Sequence, residues 1–269
     1  MRSPGAEAVS GTMKNDRNAQ LEGQPQPVSR ARAPARDDEP AYVLHTYPFK
    51  ETSLVAEVFS RSCGRLGLVA RGARRPHSAM RGLLMAFQPL SLGWGGKSEL
   101  RTLYRAETVA GHLQLSGLNL LCGFYLNELV LKLLQREDPH EQLYEGYERA
   151  LAALRGELPP AWAVRRFEKD LLRELGYGLL LEHDVGGEPI QAHARYTYIL
   201  EAGPRLLGEA EGDTPVELLG TTLIELAADD YRRPATLQES RALMRYVLTH
   251  YLGGQQLHTR QLLREMQQL

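Results

Sequence analysis

Between residues 61 and 81 the chain carries Arg61, Arg65, Arg71, Arg74, Arg75 and Arg81 and no carboxylate. A row of guanidinium groups without neighbouring acids suits the neutralisation of phosphates. The planar fork of arginine matches phosphate oxygens, and each contact releases counterions. A solvated surface is the ordinary reading of a charge run, but the complete absence of acids weighs against it here. A second cation, Lys97, lies in Gly93-Trp94-Gly95-Gly96-Lys97-Ser98, which looks like half of a phosphate-cradling loop. That loop needs a glycine at position 91, where Ser91 stands, and a helix after the serine whose amides hold the anion. Residues 99–107 read as a strand, so the stretch is a hairpin turn.

Other chemistry finds little support. The eight histidines and two cysteines form no ligand pair at useful spacing. His183 and His193 flank a polar loop with Asp184 and Glu188. No serine sits in a nucleophile elbow, and Cys63 has no evident base. Glu168, Asp170 and Glu174 share a helical stretch with Arg165, Arg166, Lys169 and Arg173, the pattern of surface ion pairs. No catalytic residue, metal or cofactor is expected.

The cluster needs a frame to hold it. Residues 1–40 carry Pro4, Pro25, Pro27, Pro34 and Pro40 among polar residues and read as a disordered extension, with Met13 an alternative start. From Tyr42 the texture is short strands at 42–47, 54–60, 65–72, 89–95 and 99–107, separated by turn material. Five strands with a long connection between the third and fourth suit a five-stranded OB-type barrel, with an SH3-like barrel as the competing arrangement. After Leu118 helices take over, at 119–135, from Asp138-Pro139 to Gly156, at 162–175, from Thr214-Pro215, and from Thr236 to Gly253. A last short helix starts at Thr259. Asp138 with Glu141, and Thr236 with Glu239, are spaced as capping boxes. A small hairpin is expected around 196–204.

Charge follows the same division. Residues 41–115 carry ten basic and four acidic side chains, and residues 116–269 carry sixteen and twenty-three, so polyanion binding belongs to the first module. The apolar run 118–134 is interrupted by Asn119, Asn127, Glu128 and Lys132, which makes it a buried helix and not a membrane span. Two distant cysteines and no leader pattern fit a cytoplasmic protein.

Five stretches in order carry a family resemblance: YVLHTYPFKETSLV (42–55), GRLGLVARGARR (64–75), YLNEL (125–129), RRFEKDLLRELGY (165–177) and YLGGQQLHTR (251–260). Together they resemble the RecO family of bacterial DNA repair and recombination proteins, from about residue 41 to the C-terminus. The resemblance implies an α+β chain: an N-terminal five-stranded OB-type β-barrel (41–115), then a mostly α-helical C-terminal domain (116–269) with a small hairpin insertion. It implies a non-enzymatic mediator that binds single- and double-stranded DNA and anneals complementary strands. With RecR, such a protein helps load RecA onto DNA coated by single-strand-binding protein. The family's basic barrel surface matches Arg65, Arg71, Arg74, Arg75 and Arg81, with Lys97 nearby. Phe59, Tyr47, Trp94 and Tyr104 are candidates for stacking on bases. The C-terminal tail of single-strand-binding protein is expected at Arg165, with Arg166, beside a groove lined by Leu143, Tyr144 and Leu171. Some members hold zinc with four cysteines near the equivalent of 181–200; this chain has none there and is expected to be metal-free. The competing reading is a protein adaptor whose basic loop docks an acidic protein tail without touching DNA.

Overall fold

The computed structural model describes residues 36–109, 114–208 and 214–266, with no side-chain description for 263–266. Residues 1–35, most of the expected extension, lie outside the described residues. The first strand, β1 (Arg36–Phe49), begins five residues ahead of the expected start of the module.

Four more strands complete the first module: β2 (Ser53–Ser60), β3 (Gly64–Ala70), β4 (Pro89–Gly95) and β5 (Leu100–Thr108). They close into a barrel in the order β1-β2-β3-β5-β4, with β4 pairing back to β1. Every pair is antiparallel except β3 and β5, where Gly67 to Ala70 run alongside Leu100 to Leu103. This is the OB-type arrangement. Alternation along the strands sends Ala56, Val58, Leu66, Leu68, Leu92 and Trp94 inward, and all are essentially inaccessible. A one-turn helix, α1 (Ala79–Leu83), interrupts the long β3–β4 connection.

The helical region holds α2 (Gly117–Leu133), α3 (Glu141–Arg155), α4 (Pro160–Glu174), α5 (Gly220–Ala227), α6 (Pro234–Tyr251) and α7 (His258–Met266). The α2 helix is buried continuously from Tyr125 to Val130, as a helix apolar on most faces must be. The insertion is a three-stranded sheet of β6 (Arg195–Ile199), β7 (Gly203–Leu206) and β8 (Glu217–Leu219), in the order β7-β6-β8. Three local expectations are corrected. The chain after Thr214 forms β8 before α5, instead of a helix at once. The α3 helix starts at Glu141 with His140 as its N-cap, so Asp138 does not cap it. The α6 helix starts at Pro234, and Glu239 accepts hydrogen bonds from Leu219 N (2.9 Å) and Thr222 Oγ1 (2.5 Å) instead of closing a capping box.

Barrel and helices share one core. Tyr42, Leu44 and Phe59, on the outer face of the barrel, belong to the same buried cluster as Tyr144 and Tyr147 of α3. The Tyr42 and Tyr147 rings meet at 5.2 Å between centroids, and Phe59 and Tyr144 at 5.5 Å. Asn127 of α2 donates to the Leu44 carbonyl at 2.9 Å and accepts from Tyr147 Oη at 2.5 Å. A belt of ion pairs surrounds this junction. Arg61 meets Glu141 and Glu145, each at 2.7 Å; Arg101 meets Glu137 at 2.8 Å; Arg136 meets Glu57 and Glu99. At the tightest point Gly64 has φ +68°, and an added Cβ would lie 1.9 Å from the Asp138 carbonyl oxygen, so only glycine fits.

Candidate nucleic-acid interface

The predicted arginines divide into two sets. Arg61 and Arg65 are engaged, the first with α3 and the second with Glu57 at 3.7 Å. Arg65 is mostly covered, with 18% of its side chain exposed. Burial lowers the pKa of its guanidinium; the Glu57 charge opposes this and the Arg136 charge adds to it. Its role is to help neutralise Glu57 at the junction with the helices, so it is not part of an open track. Arg71, Arg74, Arg75 and Arg81 are exposed, and among the described residues none pairs with a carboxylate.

The loop after β3 presents this second set through its own geometry. Gly72, with φ +70°, turns the chain, and Ala73 is fully buried as an anchor in the barrel core. Arg75 N then donates to Gly72 O (3.0 Å), Ser78 N to Arg75 O (3.2 Å) and Arg81 N to Ser78 O (3.2 Å). Successive turns leave the long side chains nowhere to go but outward. The loop is also tied to the β1–β2 turn: Arg74 N donates to Thr52 O (2.9 Å) and Arg74 Nη1 to Lys50 O (3.2 Å). Exposed Lys50 thereby joins the basic group. Sequence reasoning passed over it, although a cation in the first hairpin turn of an OB barrel is a usable signal, because that loop borders the ligand face. Lys97 is exposed in the β4–β5 turn, at the other end of β3 from this loop.

The stacking candidates also separate. Phe59 is fully buried against α3, and Trp94 is fully buried inside the barrel. Both are core and unavailable to a base. Tyr104 is 48% exposed but lies over Gly93, and its hydroxyl is tied to Asp37 (2.7 Å) and Arg36 O (2.8 Å). Tyr47 is 36% exposed on the outer face of β1.

In the helical region Leu143, Tyr144 and Leu171 are buried core residues, not an exposed groove wall as expected. Arg166 is exposed and lies 3.8 Å from Asp229. Arg165 is the member of the predicted set beside a real opening, a cavity of about 370 Å³ between α2, α4, α6 and α7. Leu118, Cys122, Val164 and Leu237 supply its apolar wall, and Arg241, Arg245 and Arg260 join Arg165 around it. Arg165 pairs at 2.7 Å with Glu168, which is fully buried and accepts a hydrogen bond from Tyr125 Oη. Arg260 donates to that same Tyr125 oxygen at 2.8 Å. Burial raises the Glu168 pKa, opposed by Arg165, the Tyr125 hydrogen bond, Arg260 and Arg241. The cavity therefore combines an apolar wall with more cations than carboxylates.

The loop at 181–194 is held by hydrogen bonds. Asp184 Oδ1 accepts from Gly186 N (2.8 Å) and Glu188 N (2.9 Å), and the Tyr196 and Tyr198 hydroxyl oxygens accept from Gln191 N and Leu180 N.

The family model described as "Recombination protein O N terminal" matches residues 37–112, and "Recombination protein O C terminal" matches residues 114–261. The chain is 52% identical over 237 residues to "DNA repair protein RecO" of Nitrosospira multiformis, covering 87% of this chain and 97% of that relative. The protein of the same name from Azoarcus sp. gives the same identity and coverage. That of Paraburkholderia xenovorans is 49% identical over 258 residues, 92% of this chain and 85% of the relative.

Proposed function

The chain belongs to the RecO family of DNA repair proteins, and from that premise we propose that it binds DNA through the cationic loop of the barrel and acts as a recombination mediator, making and breaking no covalent bond. One observation carries the reading. Arg61, Arg65, Arg101 and Arg105 of the barrel each meet a carboxylate, whereas Arg71, Arg74, Arg75 and Arg81 are exposed without one among the described residues. A run of unpaired cations is suited to a polyanion; Lys50 extends it, while Lys97 is a separate exposed cation at the other end of β3. Annealing follows from the same physics: two strands repel, and a shared cationic surface screens the repulsion while they find register.

The cavity beside Arg165 supports the second part of the reading, capture of the acidic tail of single-strand-binding protein. A terminal carboxylate would meet Arg165, Arg241 and Arg260 while an apolar side chain fills the wall of Leu118, Val164 and Leu237. Loading of RecA together with RecR completes the proposed role. Since this acceptor for an acidic peptide is separate from the basic loop, the loop is left to nucleic acid, which favours the DNA reading over the adaptor.

The test is the salt dependence of binding to a labelled single strand. The log–log slope should fall by at least about 1.4 in Arg74→Glu/Arg75→Glu, since each phosphate contact on a single strand contributes about 0.7. An unchanged slope removes the loop from the contact. For the tail pocket, a labelled acidic peptide ending in an aromatic residue should lose affinity in Arg241→Ala and Arg260→Ala, and binding equal to the unaltered protein would refute the site.

A further inference from the structure

We propose that His45, Tyr47 and Phe49 form a platform on which successive bases of a single strand stack, so that the barrel binds single-stranded nucleic acid by its bases as well as its phosphates. The inference rests on the DNA reading above and adds to it the residues that contact the bases.

The platform arises from strand geometry. Pairing of β1 with β2 is regular from His45 opposite Glu57 to Phe49 opposite Ser53. Alternate side chains of a strand share a face, so 45, 47 and 49 stand on the outer side of the barrel with Glu57. His45 and Tyr47 are exposed and Phe49 is half-buried. The His45 and Tyr47 rings lie 28° from parallel with centroids 6.3 Å apart. That spacing is about twice the per-residue rise of a strand, so the two rings stand side by side along β1 without stacking on each other. Towards the helices the outer face is covered at Tyr42, Leu44 and Phe59, although Leu44 and His45 border an opening lined by Phe124, Leu131 and Leu262. The stripe is the aromatic part of what stays open on β1, whose first residues Arg36, Asp37, Asp38 and Pro40 are also exposed.

Charge identifies the occupant. The stripe ends at the cationic loop, where Lys50 Nζ lies 5.4 Å over the Phe49 ring and Arg74 Nη1 donates to Lys50 O. Under Tyr47, whose hydroxyl donates to Glu57 at 3.5 Å, that carboxylate is neutralised by Arg65 and Arg136. Glu51 in the adjacent turn is the exposed acid of this edge. Exposed rings bordered by unpaired cations match a strand whose bases have a free face and whose backbone is anionic. A duplex hides those faces inside its stack and offers only the phosphates.

The experiment uses the full chain with two fluorescently labelled ligands of equal length, an oligothymidylate and the same deoxyribose-phosphate chain without bases. The unaltered protein should bind the base-bearing strand on the order of tenfold more tightly. His45→Ala/Tyr47→Ala should bring that affinity down towards the abasic value and leave the salt slope unchanged, whereas Tyr47→Phe should keep the preference. Equal binding of both ligands by the unaltered protein overturns the platform and leaves the cationic loop standing. So does a double variant that still prefers the base-bearing strand. Failure to bind either ligand overturns the DNA reading and the platform with it.

Discussion

In the proposed reading an arginine that meets a carboxylate serves structure, and one that meets none is left for a ligand. Arg165 lies between these cases: it lines the cavity and also pairs with Glu168, which has no solvent exposure. Removing Arg165 deprives that buried carboxylate of its ion-pair partner, so Arg165→Ala should cost about 3–5 kcal/mol of stability in urea unfolding. Arg241→Ala, at an exposed position of the same cavity, should stay within about 0.5 kcal/mol. Arg165→Ala/Glu168→Gln should recover most of the loss, since the stranded charge is gone. Equal stability of Arg165→Ala and Arg241→Ala would show that Glu168 does not depend on its partner. The sequence made the basic cluster plain, because its signal is the absence of acids over a continuous stretch. It could not separate engaged arginines from open ones. The acids that engage Arg61 are Glu141 and Glu145, some eighty positions along the chain, and Glu57 lies across a strand pair from Arg65.

Elements are held by the same kind of long-range polar contact. The α7 helix docks on α2 through Glu128, whose carboxylate accepts from His258 N (2.8 Å), Thr259 N (3.0 Å) and Thr259 Oγ1 (2.6 Å) and pairs with Lys132 at 3.2 Å. Burial pushes its pKa up, but the Thr259, His258 and Lys132 hydrogen bonds outweigh burial and hold it below the ordinary glutamate value. A carboxyl depressed in the folded state stabilises above its unfolded value, about 4.3, and loses that contribution as pH falls through the folded value. Glu128→Gln should therefore be about 1–2 kcal/mol less stable at pH 7, and the difference should shrink as the pH is taken down below about 4.3. A difference that does not vary with pH would mean that the glutamate charge has no part in docking. The strands were readable at this scale because alternation and turn residues are local; residues 89–95 coincide with β4. The helix starts near Asp138 and Thr236 were misjudged because the carboxylates that fit a capping box found tertiary partners, Glu239 going to Leu219 and Thr222. Nothing local announces such a choice.

At the scale of the molecule, the core shared by barrel and helices predicts that the two unfold as one body. An OB barrel ordinarily offers the face of β2 and β3 to its ligand. Here Phe59 of β2 is buried in the helical cluster, Glu57 is capped by Arg136, and Gly64 of β3 abuts the backbone of Asp138. Separating the modules would strand Tyr42, Leu44 and Phe59 in water. The apolar part of that loss alone is about 1.5–3 kcal/mol for each large side chain. The two tryptophans provide independent probes, Trp94 inside the barrel and Trp162 on α4. Trp94→Phe and Trp162→Phe each leave one reporter, and their fluorescence transitions in urea should coincide with the loss of helical circular dichroism measured on the same variant. Phe59→Ala should lower both midpoints together, by about 3–5 kcal/mol of stability. Gly64→Ala, which combines a left-handed backbone with a steric clash at the junction, should lower both by at least about 2 kcal/mol. A barrel signal that persists after the helical signal has gone would show two independent domains and reopen the β2–β3 face as a surface for nucleic acid. Coincident transitions keep that face shut and confine the strand to the cationic loop and the stripe of β1.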